Sequence, residues 1–164
     1  MLKMIYYSCF HSIMSYGIMF WGHFTSSIKV FRLQKRIKRI MMGCGSRDSC
    51  RKLFIRLKIL TLPSQYILSL LLFVIKSKEL FSTNNETHSI CTRLHLNFHQ
   101  PSANLTKYQT GVYIHGFKDI QYSSFIYCIK QESDNPKKFG SLLKKFLYEN
   151  SFYSLEEFYR LFKS

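Results

Sequence analysis

Apolar side chains recur at helical spacing along the first 80 positions, interrupted by glycines and short polar runs, a pattern that predicts helices. Residues 2–21 mix Met, Ile, Tyr and Phe with small polar groups and read as a mostly buried helix, broken by Gly17 and Gly22 and ending near Trp21. A second helix is expected from Ser27 to Met42, stopped by Gly43 and Gly45. Asp48 or Ser49 can cap a short third helix through Leu57. Thr61 with Pro63 opens a fourth, long and apolar, to about Leu80.

The pattern then changes. Ser, Thr, Asn and His dominate residues 82–110, and Pro101 breaks any period, which marks a polar loop. Val112–Ile114 and Ile126–Ile129 are β-branched and aromatic, leaving room for a short β-hairpin near residues 108–129. Asn135 before Pro136 is an N-cap with Pro at the first helical position, launching a helix to about Tyr148. Ser154 and Glu157 have capping-box spacing for a last short helix through Phe162. The expected fold is mainly α, a small irregular helical bundle. Its divisions are a helical, basic region over 1–81, the polar loop over 82–110, and a C-terminal extension with two short helices over 111–164. No internal repeat is visible.

Composition changes this picture through charge. The 164 residues carry 24 Lys and Arg against 9 Asp and Glu, a net +15. Between Ile28 and Lys58 stand eleven basic residues and one acid, Asp48, so this stretch alone holds +10. A surplus so localised asks for a local polyanion, either nucleic acid or an anionic membrane. At 100° per residue, Lys29, Arg32, Lys35, Arg36 and Arg39 fall within an arc of about 120°. Val30, Leu33, Ile37, Ile40 and Met41 lie opposite, so the expected arrangement buries this apolar arc and presents the cations. Like charges at this spacing repel by about 0.2–0.5 kcal/mol per pair, a cost that a phosphate backbone cancels. Arg51, Lys52, Arg56 and Lys58 follow closely and can extend the patch. A merely solvated face, or a targeting signal at Lys35, Arg36, Lys38 and Arg39, fits the same charge run.

Chemistry-bearing constellations are missing from the sequence. Two-metal polymerisation needs grouped carboxylates, whereas Asp48, Asp119 and Asp134 are widely separated and the adjacent Glu156 and Glu157 do not share a helix face. His95 and His99 are four apart but have no carboxylate or Cys partner at metal-ligand spacing. No Gly-rich phosphate loop and no GxSxG occur. The expectation is therefore a non-enzymatic chain with no cofactor and no metal. Cys9, Cys44, Cys50, Cys91 and Cys128 form no CxxC, which fits a reduced, intracellular protein in the nucleus or cytoplasm. The longest apolar run, Leu70 to Ile75, is far short of the roughly 20 residues of a membrane span, so no transmembrane segment is expected.

Several segments, taken in order, carry a resemblance. "SIMSYGIMFWG" (12–22) followed by "FRLQKRIKRIMMGCGSRDSCRKLFIRLKILTLPSQYI" (31–67) resembles the region downstream of the polymerase core in jockey-like non-LTR (LINE-type) retrotransposon reverse transcriptases. The matching positions are Tyr16, Gly17, Trp21 and Gly22; Gln34, Lys35, Arg36 and Arg39; Ser49, Cys50, Arg51 and Phe54; and Leu60 to Ser64. "CTRLHL" (91–96), "KYQTGVYIHGFK" (107–118) and "FYSLEEF" (152–158) extend it over nearly the whole chain. The resemblance implies an origin in RNA-directed DNA synthesis, with residues 1–81 thumb-like and the basic helix facing template and primer. It also implies a palm domain that this chain lacks, because the family's aspartate pair is not found here. Tyr122–Phe125 and Cys91 depart from the family's usual residues, as in a decayed copy. The resulting expectation is a catalytically inactive remnant that grips RNA or DNA phosphates through Lys29, Arg32, Lys35, Arg36, Arg39, Arg51 and Lys52. A peripheral membrane or protein-interaction module, or a translated fragment without function, stands as the alternative.

Overall fold

The computed structural model describes residues 2–45, 47–77 and 135–161. The described residues are mostly helical and contain no strand, as the hydrophobic period predicts. The hairpin expected near 108–129, the polar loop over 82–110 and the boundaries at 81 and 110 all lie outside the described residues.

The chain divides into two compact units: Met1–Ser69 with Ser141–Glu157, and Leu70–Gly140 with Phe158–Ser164. In the first unit the N-terminal helix is built in pieces. α1 (Leu2–Ile5) runs into a π-helical stretch, Tyr6–His11, and on into α2 (Ser12–Ser15). Serine hydroxyls turned back onto the helix accompany the wide turn: Ser12 donates to the Ser8 carbonyl at 2.5 Å and Ser15 to that of His11 at 2.7 Å. Gly17, left-handed at φ 59, breaks the helix, and α3 (Ile18–Trp21) follows. The Trp21 indole N–H donates to the Tyr16 carbonyl at 3.1 Å and closes the break.

The expectation that residues 2–21 are mostly buried is corrected. Only Tyr6, Met14 and Ile18 reach the core, while Met4, Ile13, Tyr16 and Phe20 are exposed. Apolar residues stand on every side of this segment, so its period does not choose the inner face. Gly22 is required for a different reason: a Cβ there would lie 2.5 Å from the Tyr66 ring and 2.7 Å from the Ile18 carbonyl oxygen.

α4 (Ser27–Met42) and α5 (Cys50–Leu57) follow at nearly the expected bounds, and α6 (Leu62–Lys76) starts as expected but ends at Lys76, short of Leu80. Ser49 precedes α5 without a side-chain cap; the Asp48 carboxylate instead accepts from the Gly45 N–H at 2.7 Å. Lys58, left-handed at φ 50, ends α5. Thr61 caps α6, its Oγ1 accepting from the Ser64 N–H at 3.3 Å while its hydroxyl donates to the Phe152 carbonyl at 2.5 Å. α7 (Pro136–Asn150) starts where Asn135 Oδ1 accepts from the Lys138 N–H at 3.3 Å, as its sequence predicts. α8 (Leu155–Arg160) has the Ser154 hydroxyl on the Glu157 N–H at 3.2 Å. The Glu157 carboxylate reaches back to the Tyr153 N–H at 2.8 Å, one residue beyond the usual capping-box partner.

The core of the first unit gathers Phe54, Ile59, Leu62, Tyr66, Ile67, Leu143, Leu147 and Phe152, all nearly inaccessible. Phe31, Phe54 and Tyr153 form an aromatic cluster with centroids 5.2–6.4 Å apart. In the second unit Leu70, Leu71, Val74, Ile75, Phe139 and Phe158 are buried.

Candidate nucleic-acid interface

α4 carries most of the local charge, and its C-terminus is closed by Gly43, left-handed at φ 64. The Cys44 N–H donates back to the Arg39 carbonyl at 2.9 Å in a Schellman-type ending. The expected burial of its apolar arc is corrected. The buried stripe is Ser27, Phe31, Gln34 and Lys38, spaced i, i+4, i+7 and i+11. Leu33 and Ile40 are exposed, and Val30, Ile37 and Met41 only half-buried. The helix therefore has three faces: a buried stripe with three polar members, the cation arc, and a largely open apolar arc.

Polar satisfaction selects the inner face. The Gln34 amide donates 2.9 Å to the Leu60 carbonyl and 2.9 Å to the Tyr6 hydroxyl, while its oxygen accepts from the Leu62 N–H at 2.9 Å. Three groups that would be orphaned in the core thus meet on one side chain. Lys38 runs inward beside it, with its ammonium 2.7 Å from the centre of the Tyr6 ring and 3.8 Å from Met41 Sδ. No carboxylate among the described residues pairs with it. Burial, with a contribution from the Lys3 charge, pushes the Lys38 ammonium down to about 7. Burial also pushes the Tyr6 hydroxyl up to about 12, although the Gln34 hydrogen bond opposes this. His11 is lowered by burial and by the charges of Lys38 and Lys144.

The seven residues expected to grip phosphates are not equivalent. Lys29, Arg32, Arg36 and Lys52 are exposed and make no side-chain interaction among the described residues. Lys35 is half-buried, 4.8 Å over the Phe31 ring and 5.4 Å from that of Tyr153. Arg51 pairs with Glu157 at 2.6 Å and stands 4.7 Å from the same Tyr153 ring. Burial works to raise Glu157, but the hydrogen bonds from Arg51 and the backbone outweigh it and hold the carboxyl below its ordinary value. Arg39 Nε donates to the Asp48 carbonyl at 3.1 Å, tying the end of α4 to the following loop. Lys35 and Arg51 are thus brought together around Tyr153, and with Arg39 they are partly committed to architecture. The remaining four point at solvent.

Residues quoted for the resemblance have local structural work in this chain. Gly22 admits Tyr66, Gln34 satisfies the turn before α6, Thr61 caps that helix, and buried Cys50 lies 3.6 Å from the Lys35 carbonyl. Among the described residues no three His, Cys, Asp or Glu side chains gather as a metal site. The pair His95 and His99, and Asp119 and Asp134, lie outside the described residues. No single described helix is long and apolar enough to cross a membrane; α5 and α6 reach that composition only together, across a 49° bend. No family model, curated protein or solved structure matches this chain.

Proposed function

We propose that this chain is the thumb-side, post-palm region of a retrotransposon-type reverse transcriptase, and that its own contribution is grip on an RNA or DNA backbone. The segments at 12–22 and 31–67 support the origin, and one observation carries the binding: the cations Lys29, Arg32 and Arg36 share an arc of α4 with no carboxylate partner among the described residues. Such an arc is repulsive when unoccupied and is relieved by phosphates, which exchange their condensed counterions for it. Contacts of this kind read the backbone and not the sequence. The reading assigns the chain no catalysis, since its three Asp stand apart in the sequence, and places it in the nucleus or cytoplasm, where RNA and DNA are found.

The test is fluorescence anisotropy with labelled RNA and DNA. Arg32→Glu with Arg36→Glu should weaken binding at least tenfold, and an unchanged affinity would sink the assignment. A second reading is favoured by the exposure of Leu33 and Ile40 beside the cations: α4 lying on an anionic membrane. Sedimentation with anionic vesicles that persists in excess RNA, and is lost in Leu33→Ser with Ile40→Ser, would select it.

A further inference from the structure

A second cationic feature of the first unit contains none of the α4 cations. The end of α5 and one face of α7 line an open cleft of about 500 Å³. α7 supplies Ser141, Lys144, Lys145 and Tyr148, which share a face at i, i+3, i+4 and i+7, while Leu143 and Leu147 turn into the core. From the other side come Ile55, 42 % exposed, and Lys58, whose left-handed backbone at φ 50 ends α5. Glu149 is the one acid on the wall, against three lysines. None of those lysines forms an ion pair among the described residues. Lys144 stands 6.0 Å from the Tyr148 ring. Burial pushes the Tyr148 hydroxyl up, so it remains a protonated donor at physiological pH.

We propose that this cleft holds one unpaired nucleotide of a single-stranded RNA or DNA, its base against Tyr148 and Ile55 and its flanking phosphates on Lys58, Lys144 and Lys145. The size suits a small-ligand site. A mainly apolar lining with an aromatic ring and three ammonium groups matches a nucleotide's flat base and charged backbone. A base inside a duplex cannot enter, because its faces are stacked on neighbours and its edge is paired. The cleft thus gives the chain a preference for single strands that the α4 arc, reading only phosphates, does not supply. The inference rests on the nucleic-acid reading above but on different residues, so the two fail separately.

The experiment titrates the full chain into a short labelled single-stranded RNA and into the same sequence annealed to its complement. Tyr148→Ala should weaken single-strand binding roughly 5- to 100-fold, the loss of one stacked base, and leave duplex binding unchanged. Tyr148→Phe should keep most of the affinity, and Glu149→Gln should tighten it. Lys145→Glu, at an exposed position, checks the site without disturbing the core, and circular dichroism confirms each fold. A photoactivatable 4-thiouridine in the single strand should crosslink to the α7 peptide that contains Tyr148. If Tyr148→Ala and Lys145→Glu leave the ratio of single-strand to duplex affinity unchanged while reversal of Arg32 and Arg36 weakens both forms, the cleft proposal is overturned and the backbone grip stands. If reversal of Arg32 and Arg36 has no effect while Tyr148→Ala abolishes single-strand preference, the α4 reading falls and the cleft stands. Absence of any oligonucleotide binding overturns both.

Discussion

Lys38 is the residue whose environment most departs from its chemistry, a side chain inaccessible to solvent with an aromatic face as its main compensation. In the unfolded chain its ammonium holds the proton up to about 10.5, and in the folded chain only to about 7. Between those values the unfolded state binds more protons, so stability should rise with pH, by at most about 1.4 kcal/mol per unit. Tyr6 reverses the trend: it loses its proton near 10.0 when unfolded and near 12 when folded, so stability falls again above pH 10. Urea midpoints across this range should climb and then drop, and Lys38→Met should raise the midpoint at pH 7 and flatten the climb. A flat profile in the unsubstituted chain would mean that the ammonium is hydrated. Gln34 makes the complementary case. Gln34→Ala strands the Leu60 carbonyl, the Leu62 N–H and the Tyr6 hydroxyl, and should cost about 2–4 kcal/mol in denaturant melts. A cost below about 1 kcal/mol would show that water replaces the amide.

At the scale of the element, α4 divides what the sequence discloses from what it hides. Its bounds were legible because Gly43 and the preceding turn punctuate the chain, and Asn135–Pro136 and Thr61–Pro63 announced α7 and α6 in the same way. These signals are local, decided by groups a few residues apart. The cation arc was legible as well, since it needs only the helical period. The choice of inner face was not: it depends on Tyr6, Leu60 and Leu62, which are 26–28 residues from Gln34 and converge on it only in the folded chain. Likewise the partial commitment of Arg51 depends on Glu157, 106 residues away. The cleft on α7 could have been suspected from the Lys144, Lys145 and Tyr148 spacing, but not its wall at Ile55 and Lys58. The corrected face has a measurable consequence. Phe31→Ala should cost about 3–5 kcal/mol, as for a large core truncation, while Ile40→Ser should stay within about 0.5 kcal/mol. Thermal melts in which Ile40→Ser is the more damaging change would restore the apolar arc as the buried face.

For the whole molecule, a net charge of +15 acts on folding and on binding with opposite signs of salt dependence. Self-repulsion opposes the compact state, so added salt should raise the melting temperature. Binding should weaken, because each phosphate contact releases counterions. The four exposed cations Lys29, Arg32, Arg36 and Lys52, engaged on duplex DNA, give a slope of log affinity against log salt of roughly −3.5. On a single strand the same four would give a shallower slope, roughly −3, because a single strand condenses fewer counterions per phosphate. Occupation of the cleft reverses that order. With Lys58, Lys144 and Lys145 added, the single-strand slope steepens to roughly −5, while the duplex, excluded from the cleft, keeps its value. Arg32→Glu with Arg36→Glu should then reduce both slopes in magnitude by roughly 1.5, and Lys145→Glu only the single-strand slope. Salt titrations on the two forms therefore separate the surfaces without a structure of the complex: a single-strand slope no steeper than the duplex slope leaves the exposed cations of α4 and Lys52 as the whole interface, and one near −5 requires the lysines of the cleft.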